Sequence, residues 1–236
     1  MRRALAFVLL AACGPAEAQE VAIPEVIYPK LVSEAPSAAG FVPKGWKLER
    51  QQSGDLNGDD RADLLLVLRQ DEPKNLISDA SFAENPVNTN PRMLAVAFAG
   101  KSANGYRLAL QDHELIPRIT GPVFDDVLQD EGTAIKQGSF TVALFAFSDT
   151  IRTPTYQFRY QHKRFELIGY EEFSSNRFSG KTVATSANYL SRKVEISLGT
   201  IENDTSTTST KKLKPAPLLG ISDIGDGLQF TPLTLD

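Results

Sequence analysis

Cys13 is the only cysteine in the 236 residues, so the chain cannot form an internal disulfide. Histidine is almost as scarce. His113 and His162 stand alone, and neither belongs to the H-x-x-x-H spacing that zinc sites use. No G-x-S-x-G elbow occurs, and Gly180-Lys181-Thr182 lacks a phosphate loop's upstream glycine, because residue 175 is serine. Basic residues do not interleave with aromatics, which leaves nucleic-acid binding without an electrostatic footprint. After the first eighteen residues no apolar run is long enough to span a bilayer. Three carboxylate pairs exist, Asp125-Asp126, Asp130-Glu131 and Glu171-Glu172. Neighbours on a strand face opposite ways, so none is a preassembled acid–base pair, and solvated loop charge accounts for them.

The beginning of the chain has the features of an export leader. Arg2 and Arg3 precede an apolar stretch over 4–12, and Ala16-Glu17-Ala18 forms a small-x-small cleavage site. Cleavage there starts the mature chain at Gln19 and moves the formal charge from −4 to −5, by loss of Arg2, Arg3 and Glu17. Leu10-Ala11-Ala12-Cys13 also matches a bacterial lipobox. Two destinations therefore stay open: a soluble periplasmic or secreted protein, or an outer-membrane lipoprotein anchored through Cys13. Without disulfides, a metal is the staple available to such a chain.

What remains reads as strands. Apolar or alternating runs cover 45–52, 63–68, 93–99, 106–110, 139–147, 156–160, 165–170, 182–186 and 193–198. Residues 100–105 and 161–164 have hairpin-turn composition, and 24–39 allows one short amphipathic helix. The expected fold class is all-β, mainly antiparallel sheet as a sandwich or open barrel-like form, with at most one or two short helices. The division is a leader over 1–18, an N-terminal extension over 19–40 and one mainly-β domain over 41–236. Two segments read as loose within it: 70–92, rich in Asp, Asn and Pro, and 202–212, a polar low-complexity connector. Tyr156, Phe158 and Tyr160 fit the inner face of a sheet, and Trp46 is expected to open the first strand and pack on the same core. Asp223 and Asp226 read as turn residues.

One stretch carries chemistry. In Ser53-Gly-Asp-Leu-Asn-Gly-Asp-Asp-Arg-Ala-Asp63, the residues Asp55, Asn57, Asp59 and Asp63 occupy positions 1, 3, 5 and 9 of a loop that runs into the apolar 64–68. Calcium takes six to eight oxygens at roughly 2.3–2.6 Å, and alternate residues of a tight loop supply them. Position 7, Arg61, offers its backbone carbonyl, its side chain expected to point away. Position 12 is Leu66 and the loop feeds a strand, which excludes an EF-hand. Position 6 calls for a left-handed residue and holds Asp60 instead of glycine, at a cost of about 1 kcal/mol. The alternative is a plain acidic turn about Asn57-Gly58.

The loop resembles the calcium loop of FG-GAP and VCBS-type repeats, D-x-[DN]-x-D-G-x-x-D between two strands. The resemblance spans about fifteen residues and implies Ca2+ held by Asp55, Asn57, Asp59, Asp63 and the Arg61 carbonyl. FG-GAP units most often build β-propellers, but a propeller needs several copies at a period near 50 residues and this chain has one. The strand–loop–strand opening followed by a hairpin is also similar to a diffuse group of exported bacterial proteins of unknown role. The functional expectation is an exported, noncatalytic, calcium-stabilised β-domain that meets a protein or glycan partner at the cell envelope. Its rivals are an exported hydrolase of envelope polymers, with 70–92 in its cleft, and a lipid-anchored partner or immunity-type protein.

Overall fold

The computed structural model describes residues 23–78, 86–100, 105–120 and 125–231. The leader over 1–18, Cys13 and Gln19 lie outside the described residues, as do 79–85 and 101–104 of the expected loops. In chain order the strands are β1 (Glu34–Ala35), β2 (Trp46–Gly54), β3 (Asp63–Gln70), β4 (Leu76–Ile77), β5 (Val87–Asn88), β6 (Arg92–Ala99) and β7 (Tyr106–Asp112). They continue as β8 (Thr133–Lys136), β9 (Ser139–Ala143), β10 (Thr150–Gln161), β11 (Arg164–Asn176), β12 (Lys181–Asn188), β13 (Lys193–Thr200) and β14 (Asn203–Lys212). A five-stranded sheet runs β1-β7-β6-β3-β2, a seven-stranded sheet runs β14-β13-β12-β11-β10-β9-β8, and β4-β5 form a small ladder. These pairings are antiparallel. The described helices are three short 3-10 turns, so the all-β expectation holds.

β3 organises the interior. Its run Leu64-Leu65-Leu66-Val67-Leu68 is buried throughout, because both faces of the strand are covered. Leu64, Leu66 and Leu68 join Met93, Ala95 and Ala97 of β6 beneath the N-terminal segment, whose Leu31, Ala35, Ala38 and Phe41 close that layer with Trp46. Leu65 and Val67, with Leu94, Val96 and Phe98, meet Phe140, Val142, Tyr156, Phe158 and Tyr170 of the larger sheet. Successive residues of a strand face opposite ways, so one continuous apolar run serves two cores.

The two sheets come closest where β2 passes β8. A Cβ added to Gly54 would lie 2.7 Å from Ile135 Cγ2, so a side chain there would force the sheets apart. Arg50 donates to the carbonyls of Asp130 (2.7 Å) and Leu128 (3.0 Å), and the Gln52 amide donates to the carbonyl of Thr133. Between Leu48 and Arg50 the register with β3 slips by one residue, making Glu49 a bulge. The bulged Glu49 joins the β3–β6 pair Arg69 and Arg92, which stand opposite each other. Arg92, 5% exposed, donates Nε and Nη2 to Glu49 (2.6 and 2.8 Å) and Nη1 and Nη2 to Asp126 (2.6 and 2.7 Å). Arg69 Nη1 reaches the same two carboxylates at 3.2 and 3.4 Å. Burial alone would raise both carboxyls, but the guanidinium hydrogen bonds and charges hold Glu49 and Asp126 below the ordinary range.

Several sequence expectations change here. No helix forms over 24–39; Pro24, Pro29 and Pro36 deny helical hydrogen bonds, and the chain runs extended to a 3-10 turn at Ala38–Phe41. The supposed connector over 202–212 is largely strand β14, its β-branched threonines paired with β13. Trp46 does open the first long strand, but it packs in the N-terminal core and not with Tyr156 and Phe158. The 161–164 turn is borne out: β10 and β11 are joined through His162 and Lys163, both at positive φ (51° and 64°), the signature of a two-residue primed turn.

Replacing Arg92 with methionine strands buried carboxylates and should lower unfolding free energy by about 3 kcal/mol in denaturant titrations. Glu49 and Asp126 have depressed folded-state pKa values, so their contribution is present above the ordinary carboxylate pKa and is lost as pH falls through the folded values. The Arg92→Met variant should therefore lose part of the parent's acid sensitivity over that window.

Candidate metal centre

The loop between β2 and β3 is closed by its own backbone. Asp55 Oδ1 accepts the N–H groups of Asn57 (3.1 Å), Gly58 (2.7 Å) and Asp59 (3.3 Å), while Oδ2 accepts that of Asp60 (3.0 Å). Gly58 and Asp60 both take positive φ, 79° and 62°, so position 6 is left-handed as the spacing requires and carries the strain of a non-glycine residue there. At the other end Asp63 is fully buried. Its Oδ2 accepts the N–H of Leu56 at 2.9 Å, and its Oδ1 accepts that of Ala99 at 2.8 Å, which ties the loop to the end of β6.

These settings move the two carboxyls in opposite directions. Burial would raise Asp55, but four backbone N–H donors outweigh it and hold the carboxyl below its ordinary value. Burial raises Asp63, two N–H donors offset that only in part, and the charges of Asp59 and Asp55 push it further up. The three carboxylates are thus close enough to act on one another. They do not converge: among the described residues, no three His, Cys, Asp or Glu side chains form a group that could hold a metal.

Arg61 explains part of that. Its guanidinium turns back and pairs with Asp59 Oδ2, contrary to the expectation that it points away, while its N–H donates to Asp59 Oδ1 at 3.1 Å. Asn57 joins the loop's bonding through its backbone N–H, but its side-chain oxygen does not. Its Oδ1 is sealed from solvent and accepts no hydrogen bond. Asn57, Asp59 and Arg61 form one wall of a cleft of about 770 Å³, with Glu34, Tyr106 and Arg107 among the residues opposite.

The other residues singled out by the sequence are dispersed. His113 stacks on Tyr28, with ring centroids 4.3 Å apart. His162 Nδ1 lies 3.1 Å from Glu166 Oε2. Asp126 belongs to the Arg92 cluster, and Glu172 is held by Arg152 and the Tyr170 hydroxyl. Asp223 and Asp226 bond locally in turns as expected, Asp223 to the Gly220 N–H at 2.8 Å and Asp226 to the Leu228 N–H at 2.8 Å. The Arg92 cluster is the arrangement that sequence reasoning missed; only the isolated arginines in otherwise apolar strands hinted at it. No protein-family model matches this chain, nor does any curated protein or solved structure.

Replacing Asp63 with alanine leaves two backbone donors unmet in a buried setting and should cost about 3 kcal/mol in the metal-free protein. Amide exchange at Leu56 and Ala99 should accelerate more than elsewhere in β3 and β6, which reports where the loss falls.

Proposed function

We propose that the 55–63 loop binds one Ca2+, and that the protein is an exported, noncatalytic interaction module of the bacterial envelope with that ion as its staple. Asp55, Asn57, Asp59, Asp63 and the Arg61 carbonyl would hold the metal. A bound divalent cation supplies positive charge to three mutually repelling carboxylates. The observation that carries the reading is the Asn57 Oδ1, a buried oxygen without a donor in a loop whose remaining oxygens suit a hard cation. The hydrogen bonds on Asp55 and Asp63 support it further, because they fix the loop's shape before any ion arrives. Arg61 acts as an internal counterion on Asp59 and must release that carboxylate as calcium binds. Export is supported by the leader-type residues 1–18 and an interaction role by the cleft beside the loop; a protein or glycan at the envelope is the partner class.

Calorimetric titration of the metal-free protein should give one site with a dissociation constant of about 0.1–1 mM. At a hundredfold excess over that constant, calcium should stabilise the fold by about 2.7 kcal/mol in paired melts with and without chelator. Asn57→Ala should leave metal-free stability within about 0.5 kcal/mol of the parent, since no bond is lost, yet weaken calcium binding at least severalfold. Arg61→Gln should tighten binding by removing the competing cation. Affinity should also fall as pH drops through the raised pKa of Asp63, where a proton competes with the metal. A melting temperature indifferent to calcium and chelator, in parent and Arg61→Gln alike, would eliminate the metal.

A further inference from the structure

The seven-stranded sheet gathers cations that lie apart in the chain. Lys193 opens β13 and Lys212 closes β14, and the two stand directly opposite each other. Just past that pair the Leu213 N–H donates to the Arg192 carbonyl at 2.9 Å. Arg192, Lys193, Lys211, Lys212 and Lys214 thus all lie within two residues of one hydrogen bond, and all five are exposed. Like charges directly opposed across a ladder destabilise it. Among the described residues Lys193 alone of the five has a carboxylate partner, Glu195 at 2.7 Å. Acids are not scarce in this chain, where 29 Asp and Glu outnumber 25 Lys and Arg, so the patch runs against the overall charge. Lysines commonly blunt an exposed sheet edge, but Lys193 is on an inner strand, and Arg192 and Lys214 lie outside the named strands.

Apolar surface sits among these cations. Leu167, Leu213, Leu218 and Leu219, with Tyr189, line a pocket of about 160 Å³ whose other walls include Arg192 and Lys214. Sites that enclose a small ligand run to roughly 300–1,000 Å³, so this pocket suits contact with a surface instead. Leu190, in the same turn as Arg192, is 50% exposed, and Leu219 is 37% exposed. We infer that this end of the seven-stranded sheet docks on an anionic lipid bilayer, its leucines entering the headgroup layer and its five cations meeting lipid phosphates. Charge complementarity selects the phosphates, because each lysine or arginine near an anionic membrane surface adds attraction. The leucines supply the apolar contact, the second of the two terms that set the strength of interfacial binding. Lysine and arginine stems are long enough to lie beside the leucines while their charged heads reach phosphate. A nucleic acid offers phosphates but no hydrocarbon for Leu190 and Leu219. The inference goes beyond the calcium reading and does not depend on it, since that loop joins β2 and β3 of the other sheet.

Vesicle flotation of the full chain carrying Cys13→Ser tests this, with chelator present so that neither an acyl anchor nor calcium bridging contributes. Binding is expected to vesicles of equimolar phosphatidylglycerol and phosphatidylcholine, not to phosphatidylcholine alone, and should weaken as salt shortens the screening length. Lys211→Gln with Lys212→Gln should weaken it about tenfold or more. Lys44→Gln with Lys74→Gln, exposed outside the patch and equal in charge change, should leave it within about twofold. Leu190→Ser should weaken binding severalfold, and Leu190→Trp should shift its emission to the blue on the anionic vesicles. Circular dichroism confirms that each variant retains its sheet. Failure to bind the anionic vesicles overturns the inference. So does binding that survives the patch substitutions, as attachment through the apolar leader residues would. Binding indifferent to Leu190→Ser, or matched in affinity by a DNA duplex, overturns it as well and marks a general polyanion site.

Discussion

β3 has no solvent-facing side, and that constraint shapes everything around it. A strand covered on both faces must satisfy its polar residues at its ends. At its start Asp63 accepts backbone N–H groups from Leu56 and Ala99. Near its other end Arg69 enters the cluster of Arg92, Glu49 and Asp126. The first clamp fixes the loop before the strand and the second fixes the segment leading to β8. The N-terminal segment and the larger sheet then have one shared surface each to pack on. The Glu49 bulge follows from the same demand, since without the extra residue the alternation of β2 would not set Glu49 on the side where Arg92 lies.

The acidic loop divides its labour. Asp55 and Asp63 are committed to backbone donors, so their first role is architectural and needs no metal. Asn57 and Asp59 are the members whose side chains remain for something else, one without a partner and one paired with an arginine from its own loop. The depressed Asp55 and the raised Asp63 express this in protonation terms. Donors facing a carboxylate favour its charge, and burial among other carboxylates disfavours it. Arg61 relieves part of the repulsion internally by pairing with Asp59, a counterion supplied by the loop itself.

The sequence revealed whatever depended on local pattern. The apolar run of β3, the flanking strands, the β10–β11 hairpin and the left-handed demand at Asp60 all follow from composition and spacing within a few residues. The candidate site was legible for the same reason: its members lie within nine positions. What escaped depended on partners distant in sequence. Nothing near Arg92 in the chain announces Glu49, 43 residues before it, or Asp126, 34 residues after it. The direction of the Arg61 side chain escaped too, because spacing fixes a backbone carbonyl's position better than a long side chain's rotamer. Strand β14 was hidden by its composition, since serine- and threonine-rich runs read as linkers unless a neighbouring strand recruits them.

The larger sheet is two structures in one. Its inner strands carry the aromatic core, with Phe140, Tyr156, Phe158 and Tyr170 essentially inaccessible. Along β13 the burial decays step by step on the same face: Val194 is fully buried, Ile196 partly, and Leu198 is 56% exposed. Beyond that point the β12–β14 ribbon has backbone ladders and the Ser197–Thr208 hydroxyl pair, and among the described residues no second layer covers it. Backbone hydrogen bonds contribute little net stability when the competing partner is water, so the ribbon's order derives from its attachment at Ala187 and Val194. Local opening should therefore begin at its outer end and stop at those residues, where the ladder enters the core. A sheet built this way keeps one end rigid around the β3 sandwich and holds the other extended in solvent. Register there is set by turns and by the inner strands, not by burial.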